Sequence, residues 1–512
     1  MRSSLFLLVV VALVACTQSR VSTDFAPNFK PISVNYTRHW DKITHPFTGS
    51  AAIDIKSNNQ YAVFVGGSQN QADALFVYEN GKLIDKQAGT GLSPTPKTAT
   101  YGATAIDINN DGRTDLIVAR DDGVYLYLNL GNGTFEQRRI MLDIPTNASP
   151  FHVAVADIDH DGDADLYISM FVNFAHFRSA TFNDPQHAKP NRMLLNNGDL
   201  TFTDITQSSG TAGVANTFES VFVDLDNDGW QDLVVANNTG PIEIFKNLHN
   251  NTFERLIPFA PFGFWMGVGV GDIDNDGDQD LFFPNVGDSI PLFLTKGDLH
   301  SNQTHTHNWL LLRNDGNFKF SNITVAKGLG NEGFGWGGVF EDLNLDGKLD
   351  LAVAQNYIKW PLHKWFKLSG RTFLQTESNS FLHNKTLGLE SKNFTQSSLI
   401  VDLDGDGRQD FLWIPMQGPV QAYLNTSKNN FITLKLPADV ATLGTRVRVK
   451  TADGVSYSKE VIAGQGFMTG NAPEISFGLG RQTEILCIEI TRPDGQTTTI
   501  PAIAINQKWF VK

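Results

Sequence analysis

The chain has 512 residues, too many for one ordinary core, so it must hold two domains or one large repeat array. Only 18% of its residues are charged and 45 are glycine, the usage of an all-β chain with many turns. Its formal charge of −14 argues against a nucleic-acid partner.

Arg2 followed by the apolar run Leu5 to Ala15 predicts an export signal over residues 1–15, too short to span a bilayer. Leu13-Val14-Ala15-Cys16 matches a bacterial lipobox, in which Cys16 takes the lipid and becomes the mature N-terminus. The expectation is an exported outer-membrane lipoprotein, periplasmic or surface-facing, or a secreted chain, touching the membrane only through that anchor. Residues 16–31 form a polar tether. The other cysteine, Cys487, sits in an apolar strand, so a structural disulfide is not expected.

Over residues 32–427 one unit recurs. An apolar strand runs into a nine-residue loop, a second strand leaves it, a third ends near Asn, and a Thr-Phe or Lys-Phe pair opens a fourth. Those pairs are Thr134-Phe135, Thr201-Phe202, Thr252-Phe253, Lys319-Phe320 and Thr372-Phe373. Four antiparallel strands make one propeller blade, and seven units about 58 residues apart predict seven blades. The first unit, around Ser50 to Val65, lacks the loop carboxylates and has Lys56 at a ligand position, so it should be metal-free. The seventh unit has no fourth strand of its own. Residues of about 32 to 44 are expected to supply it and clasp the ring.

Six loops carry Asp at positions 1, 5 and 9, Asp or Asn at 3, and Gly at 6. Carboxylates so close repel one another unless a cation sits among them, and hard oxygen donors at alternate positions suit Ca²⁺. Side chains at 1, 3, 5 and 9 and the backbone carbonyl of the variable position 7 would ligate. The candidate sets are Asp107, Asn109, Asp111, Arg113 and Asp115; Asp157, Asp159, Asp161, Asp163 and Asp165; and Asp224, Asp226, Asp228, Trp230 and Asp232. The others are Asp272, Asp274, Asp276, Asp278 and Asp280; Asp342, Asn344, Asp346, Lys348 and Asp350; and Asp402, Asp404, Asp406, Arg408 and Asp410. An EF-hand would need Glu at position 12 and flanking helices, whereas here an apolar residue and a β-run follow. About six Ca²⁺ would bring the charge of −14 to about −2, so the acidity is metal chemistry.

If the acidic loops form one face, the long connections form the other. Three carry basic and aromatic residues suited to an anionic or carbohydrate ligand: His176, Arg178, His187 and Lys189; His305 and His307; and Lys359, Trp360 and His363. Packing of these loops on one another is the competing account. His305 and His307 would also share a strand face, half of a zinc site with no third ligand to name. Gly267-Val268-Gly269-Val270-Gly271 lacks the strand-to-helix setting of a nucleotide loop and fits a narrow innermost strand.

Residues 428–512 change pattern. Alternating runs such as Thr445 to Lys450 and Ile485 to Thr491, with turns at Asp453-Gly454 and Asp494-Gly495, predict a small β-sandwich-like domain.

The loops with their flanking strands resemble FG-GAP (VCBS-type) repeats, the calcium-binding propeller units of integrin α-subunit heads. The tail resembles the ASPIC/UnbV domain through Leu443-Gly444-Thr445-Arg446-Val447, Gly464-Gln465-Gly466-Phe467-Met468 and Phe477-Gly478-Leu479-Gly480. It departs at Arg492-Pro493, where that domain usually shows Trp-Pro. The resemblance implies a calcium-stabilised propeller used for extracellular binding or adhesion, with no assigned reaction. The expected function is a non-catalytic extracytoplasmic scaffold for a protein or glycan ligand. A polysaccharide lyase or hydrolase, or a lectin, using the face opposite the loops is the alternative. No G-x-S-x-G, H-E-x-x-H, phosphate loop or C-x-x-C is present.

Overall fold

Each acidic loop turns the chain between two strands buried along their whole length, as Thr100–Ile106 and Asp115–Arg120 are around Asp107 to Asp115. Both faces of such a hairpin meet a neighbouring blade, so its strands read as unbroken apolar runs rather than as alternation. Gly123–Asn129 and Phe135–Arg139 complete that blade, and only the last strand turns residues to solvent. The computed structural model describes residues 28–511 apart from 58, 93–97, 141, 214, 257–260, 291, 331, 357–367, 386–387 and 502. The expected export signal and Cys16 lie outside the described residues.

The fold is a propeller of seven blades followed by a small β domain: blades two to six are separate four-stranded sheets, and blades one and seven are joined in one ten-stranded sheet through the N-terminal strand. The innermost strands are Ser50–Ile53, Thr100–Ile106, Ala148–Ala156, Thr217–Val223, Gly269–Gly271, Gly335–Glu341 and Phe394–Val401. Blade seven packs on blade one, where Leu399, Val401 and Leu412 share a cluster with Ala52, Val63 and Val65. The clasp is Phe29–Val34, which pairs antiparallel with Gln421–Asn425 and, at its far end, parallel with Lys82–Asp85. It begins earlier than the expected range and ends sooner. Beyond Arg38 the chain leaves the sheet, because His45 and Phe47 are drawn into a cluster of rings over the axis. A second difference lies in blade six: Thr372-Phe373 belongs to the third strand, Arg371–Gln375, and the fourth is Phe381–His383.

One hydrogen bond stitches most blades to the one before. The residue ending the third strand sends its amide to the carbonyl at loop position 2 of the preceding blade: Asn129 to Ile55 (3.3 Å), Asn247 to Ile158 (3.0 Å) and Asn314 to Leu225 (2.8 Å). Gln375 to Ile273 (2.8 Å) and Asn425 to Leu343 (3.3 Å) continue the series. The recurring Asn in the sequence is therefore an inter-blade tie. Asn247→Ala, which orphans two buried carbonyls, is expected to lower stability by about 1–3 kcal/mol in urea unfolding. The exposed Glu254→Ala should stay within about 0.5 kcal/mol.

The tail is two sheets. Asn430–Lys435 lies between Glu474–Gly480 and Gln507–Phe510, and Arg446–Thr451 pairs with Ser456–Glu460 and Ile485–Thr491, which in turn carries Thr497–Pro501. Ile432, Leu434, Val447, Val449, Phe477 and Ile488 fill the space between them, in a cluster continuous with that of blades two and three. Between Glu460 and Glu474 the chain leaves this domain and enters the propeller axis. Gly466 exchanges two backbone hydrogen bonds with Val268 (2.7 and 3.1 Å), Ser50 N–H reaches Met468 O (3.3 Å), and Thr469–Gly470 runs parallel to Ser50–Ala51. Phe467 and Met468 are fully buried there. A Cβ on Gly267 would stand 1.7 Å from Gly466 O, so this approach is open only to glycine.

Candidate functional site

The six loops share one hydrogen-bond plan. The carboxylate at position 1 accepts the N–H of position 6, as Asp107 does from Gly112 (2.7 Å) and Asp342 from Gly347 (2.7 Å). Position 5 accepts the N–H of position 7, as Asp161 does from Asp163 (2.9 Å). Glycine at position 6 takes φ from 82° at Gly112 to 101° at Gly277, the left-handed bend expected of it. Position 4 is left-handed too, at Asn110, His160, Asn227, Asn275, Leu345 and Gly405, a second bend that the glycine pattern does not reveal.

Position 9 does more than face an ion. One oxygen of Asp165 accepts Ile158 N–H (3.0 Å) and the other Asn196 N–H (2.9 Å), which joins the loop to the third strand. Asp115, Asp232, Asp280, Asp350 and Asp410 repeat this. Burial pushes these carboxyls up, to about 7 for Asp115 and about 8 for Asp165, Asp232 and Asp280.

Four loops bring carboxylate oxygens within 4.8 Å of one another: Asp157, Asp159 and Asp165; Asp224, Asp226 and Asp232; Asp272, Asp274 and Asp276; Asp402, Asp404 and Asp410. At position 3 in three of them, one oxygen of Asp159, Asp226 and Asp274 is buried with no partner. A buried oxygen left unpaired inside an all-oxygen cluster fits a metal ion that would satisfy it. In the other two loops Asn109 and Asn344 donate to Asp111 and Asp346 (both 3.0 Å). Arg113 and Arg408 turn their guanidinium groups back onto Asp111 and Asp406, while Lys348 reaches Thr376 O (2.9 Å). Asp163 and Asp278 flank their clusters, with Asn227 reaching Asp278 across from the neighbouring loop.

The tail sits on this loop face and supplies cations of its own. Arg446 meets Asp224 (3.2 Å), Lys508 meets Asp402 and Glu474, and Lys459 meets Glu341 (3.0 Å). In blade one, whose loop lacks the carboxylate set, Lys435 places its ammonium 2.9 Å from Asp54. Lys56, which occupies the ligand position there, is exposed. An ammonium from the tail thus does in blade one what an ion would do elsewhere. Lys435→Met should cost about 3 kcal/mol by removing one partner of this buried ion pair, and Lys435→Met with Asp54→Asn should recover part of it in thermal unfolding.

On the opposite face four innermost strands carry rings near their start. Six residues before the first Asp of five of the six loops stand Tyr101, Phe151, Phe218, Met266 and Trp336, and Gln396 holds that place before the sixth. With Phe47, Phe171 and Phe264 the first five form one cluster, and Phe467 of the tail packs beneath it 5.4 to 5.6 Å from Phe47, Phe218 and Trp336. Above lies a cavity of about 530 Å³. His45, ringed by Phe47, Phe151, Phe171 and Phe174, is driven down to about 3 by burial, so it is neutral.

The described ones among the basic residues expected on this face, His176, Arg178, His187, Lys189, His305 and His307, lie outside that cavity's lining. Arg178 pairs with Asp184, and His176 rests 2.8 Å from Asn173. His187 is buried, its ring between the Asn216 amide (2.9 Å) and Arg178 N–H (3.2 Å), and burial lowers its pKa. Lys189 donates to Gln186 O (2.5 Å). His305 meets Thr295 Oγ1 (3.1 Å), and His307 receives Gly287 N–H at its carbonyl (2.7 Å). Lys359, Trp360 and His363 lie outside the described residues. A second cleft, of about 600 Å³, has Asn183, Arg255 and Gln303 on its walls, with Asn183 and Gln303 joined amide to amide (2.9 Å both ways).

Residues 107–168, 180–235 and 224–283 match the FG-GAP-like repeat model, and residues 438–512 match the model of ASPIC and UnbV. The chain is similar to cartilage acidic protein 1 of Xenopus tropicalis, 25% identical over 334 residues (60% of this chain, 48% of that protein). The Homo sapiens protein is 23% identical over 330 residues, covering 60% of this chain and 47% of its own length. The chain thus spans about half the length of these curated relatives. Among solved structures it is similar to an Agrocybe aegerita lectin that recognises non-reducing terminal N-acetylglucosamine (TM-score 0.41, 17% identity, 73% of this chain and 93% of that one). It is also similar to an ancestral GH74 enzyme (TM-score 0.41, 10% identity, 91% of this chain and 64% of that one). Likenesses this distant bear on no ligand. No helix among the described residues is long and apolar enough to cross a membrane.

Proposed function

From a chain built of FG-GAP-like repeats followed by an ASPIC and UnbV domain, we propose a non-catalytic, calcium-stabilised scaffold that binds its ligand on the face away from the acidic loops. The observation that carries the calcium reading is the unpaired buried oxygen of Asp159, Asp226 and Asp274 within all-oxygen clusters, the donor set of a hard divalent ion. The ions would sit beneath the tail, where Arg446 and Lys508 already reach the first Asp of two loops. They would hold the hairpin ends that orient the blades.

Binding rather than turnover is supported by the described lining of the axial cavity, which is mostly rings, thioethers and amides, with Lys42 at the mouth and the buried, neutral His45 as its titratable side chains. Glycoside hydrolysis by the usual mechanism would need two carboxyl groups about 5 to 10 Å apart across the sugar. The described lining carries neither. The charged start, the short apolar run and the lipobox-like Leu13 to Cys16 support an extracytoplasmic scaffold with a lipid tether.

Equilibrium dialysis against Ca²⁺ at pH 7.5 is expected to give about six ions per chain, from the six loops. Asp159→Asn should remove one of them. Retention of no calcium at millimolar concentration would overturn the reading.

A further inference from the structure

We propose that the axial cavity is a binding site for a lipophilic small molecule, mostly hydrocarbon, carrying one or two oxygen acceptors. The inference rests on the binding-scaffold reading and adds to it the ligand's chemical class.

Volume is the first ground: about 530 Å³ falls among the sizes of small-molecule sites. The second is the lining. Phe47, Phe171, Phe218, Phe264, Trp336 and Phe394 come from the separate blades that meet at the axis, so the hydrocarbon surface is a property of the closed ring and not of one loop. Lys42, exposed at the mouth, is the single charged side chain among the described lining residues. His45 adds none, being neutral. A sugar placed here would bury more hydroxyls than the few polar lining groups could pair, at about 1–3 kcal/mol for each one left over.

The third ground is polar and specific. Asn238 and Asn356 follow the second strands of blades four and six at equivalent positions. Each amide nitrogen stands 3.6 Å from a methionine sulfur, Met266 or Met416, and that of Asn356 gives its other hydrogen to Thr395 O (2.8 Å). A thioether is a weak acceptor, so a carbonyl, hydroxyl or carboxylate oxygen of a ligand would be the better partner. Two such amides face the cavity from different blades. The mouth is also greasy: Phe177 is 38% exposed and Leu294 38%, and Ile43 and Phe293, next to lining residues, are 57% and 78% exposed. Hydrated hydrocarbon of this extent at a cavity entrance gains by being covered with apolar ligand.

The test is a titration of the calcium-loaded full chain with N-phenyl-1-naphthylamine, an uncharged lipophilic fluorophore. Saturable binding at one site is expected, displaced by palmitate or a sterol and not by N-acetylglucosamine. Phe177→Glu and Leu294→Glu, both at the exposed rim, should each weaken the probe at least tenfold while leaving the melting midpoint and the calcium count unchanged. Absence of saturable binding, displacement by the sugar, or a probe indifferent to both substitutions overturns the proposal. In each of those outcomes the calcium count still reports separately on the scaffold.

Discussion

Chelation at pH 8 is expected to lower the melting midpoint by more than about 10 °C, and at pH 5 by far less. Each occupied loop adds about 2.7 kcal/mol when free Ca²⁺ is a hundredfold above its dissociation constant, and six loops add together as independent sites. The pH dependence follows from the carboxyls that burial has raised: Asp157 to about 6, Asp115 and Asp272 to about 7, and Asp165, Asp232 and Asp280 to about 8. A group whose folded pKa lies above its unfolded one stabilises below the unfolded value, near 4, and loses that contribution as pH rises through the folded value. Without metal, therefore, stability should fall between about pH 4 and pH 8, as protons leave carboxylates that have nothing else to neutralise them. Calcium takes the protons' place above pH 8 and competes with them below it. Scanning calorimetry with and without chelator across that range checks both parts, and a midpoint unmoved by chelator at pH 8 would refute the account.

Phe467→Ala is expected to destabilise the chain by about 3–5 kcal/mol, the range for deleting a buried aromatic ring. Phe467 ties distant parts of the ring together, since it meets Phe47 of the segment before blade one, Phe218 of blade four and Trp336 of blade six. It also underlies the axial cavity. The emission of Trp336, whose ring is 5.6 Å away, should shift to the red if the substitution lets water in from below. Guanidinium unfolding measures the first effect and steady-state fluorescence the second. Phe467→Leu, which keeps most of the apolar volume, should lose less than half as much. A loss under about 1 kcal/mol for Phe467→Ala would mean that the tail's loop is not packed in the axis.

The acidic loops were legible because their requirements are local. Gly112 must bend where it does, and Asp107 must reach the N–H of Gly112, within six residues of chain. The recurring third-strand Asn was equally visible, although its partner, a carbonyl of the preceding blade, was not. The clasp was placed a few residues too far along the chain, since the polar tether and the strand that follows it have no turn between them to mark where pairing starts. His187 and Lys189 looked like ligand-face candidates on composition. Loop packing has instead buried both, and His187 spends its ring on Asn216. The aromatic residues near the start of four innermost strands were in plain view at a fixed offset from their loops, yet a Phe at the start of an apolar strand carries no mark that separates a core residue from a cavity wall.

What the sequence determined by itself is whatever depends on near neighbours: seven repeated hairpin units, acidic turns that gather carboxylates at alternate positions, and a tail of different periodicity. Only the tertiary structure decided that the tail caps the acidic face, that Lys435 lies on Asp54 across 381 positions, and that Gly466 to Met468 thread the axis beneath a ring-lined cavity. The physical reason is that periodicity reports which face of a strand is buried. Which distant group buries it depends on the closure of the ring, and closure brings seven strand ends together at one point that no stretch of the chain describes.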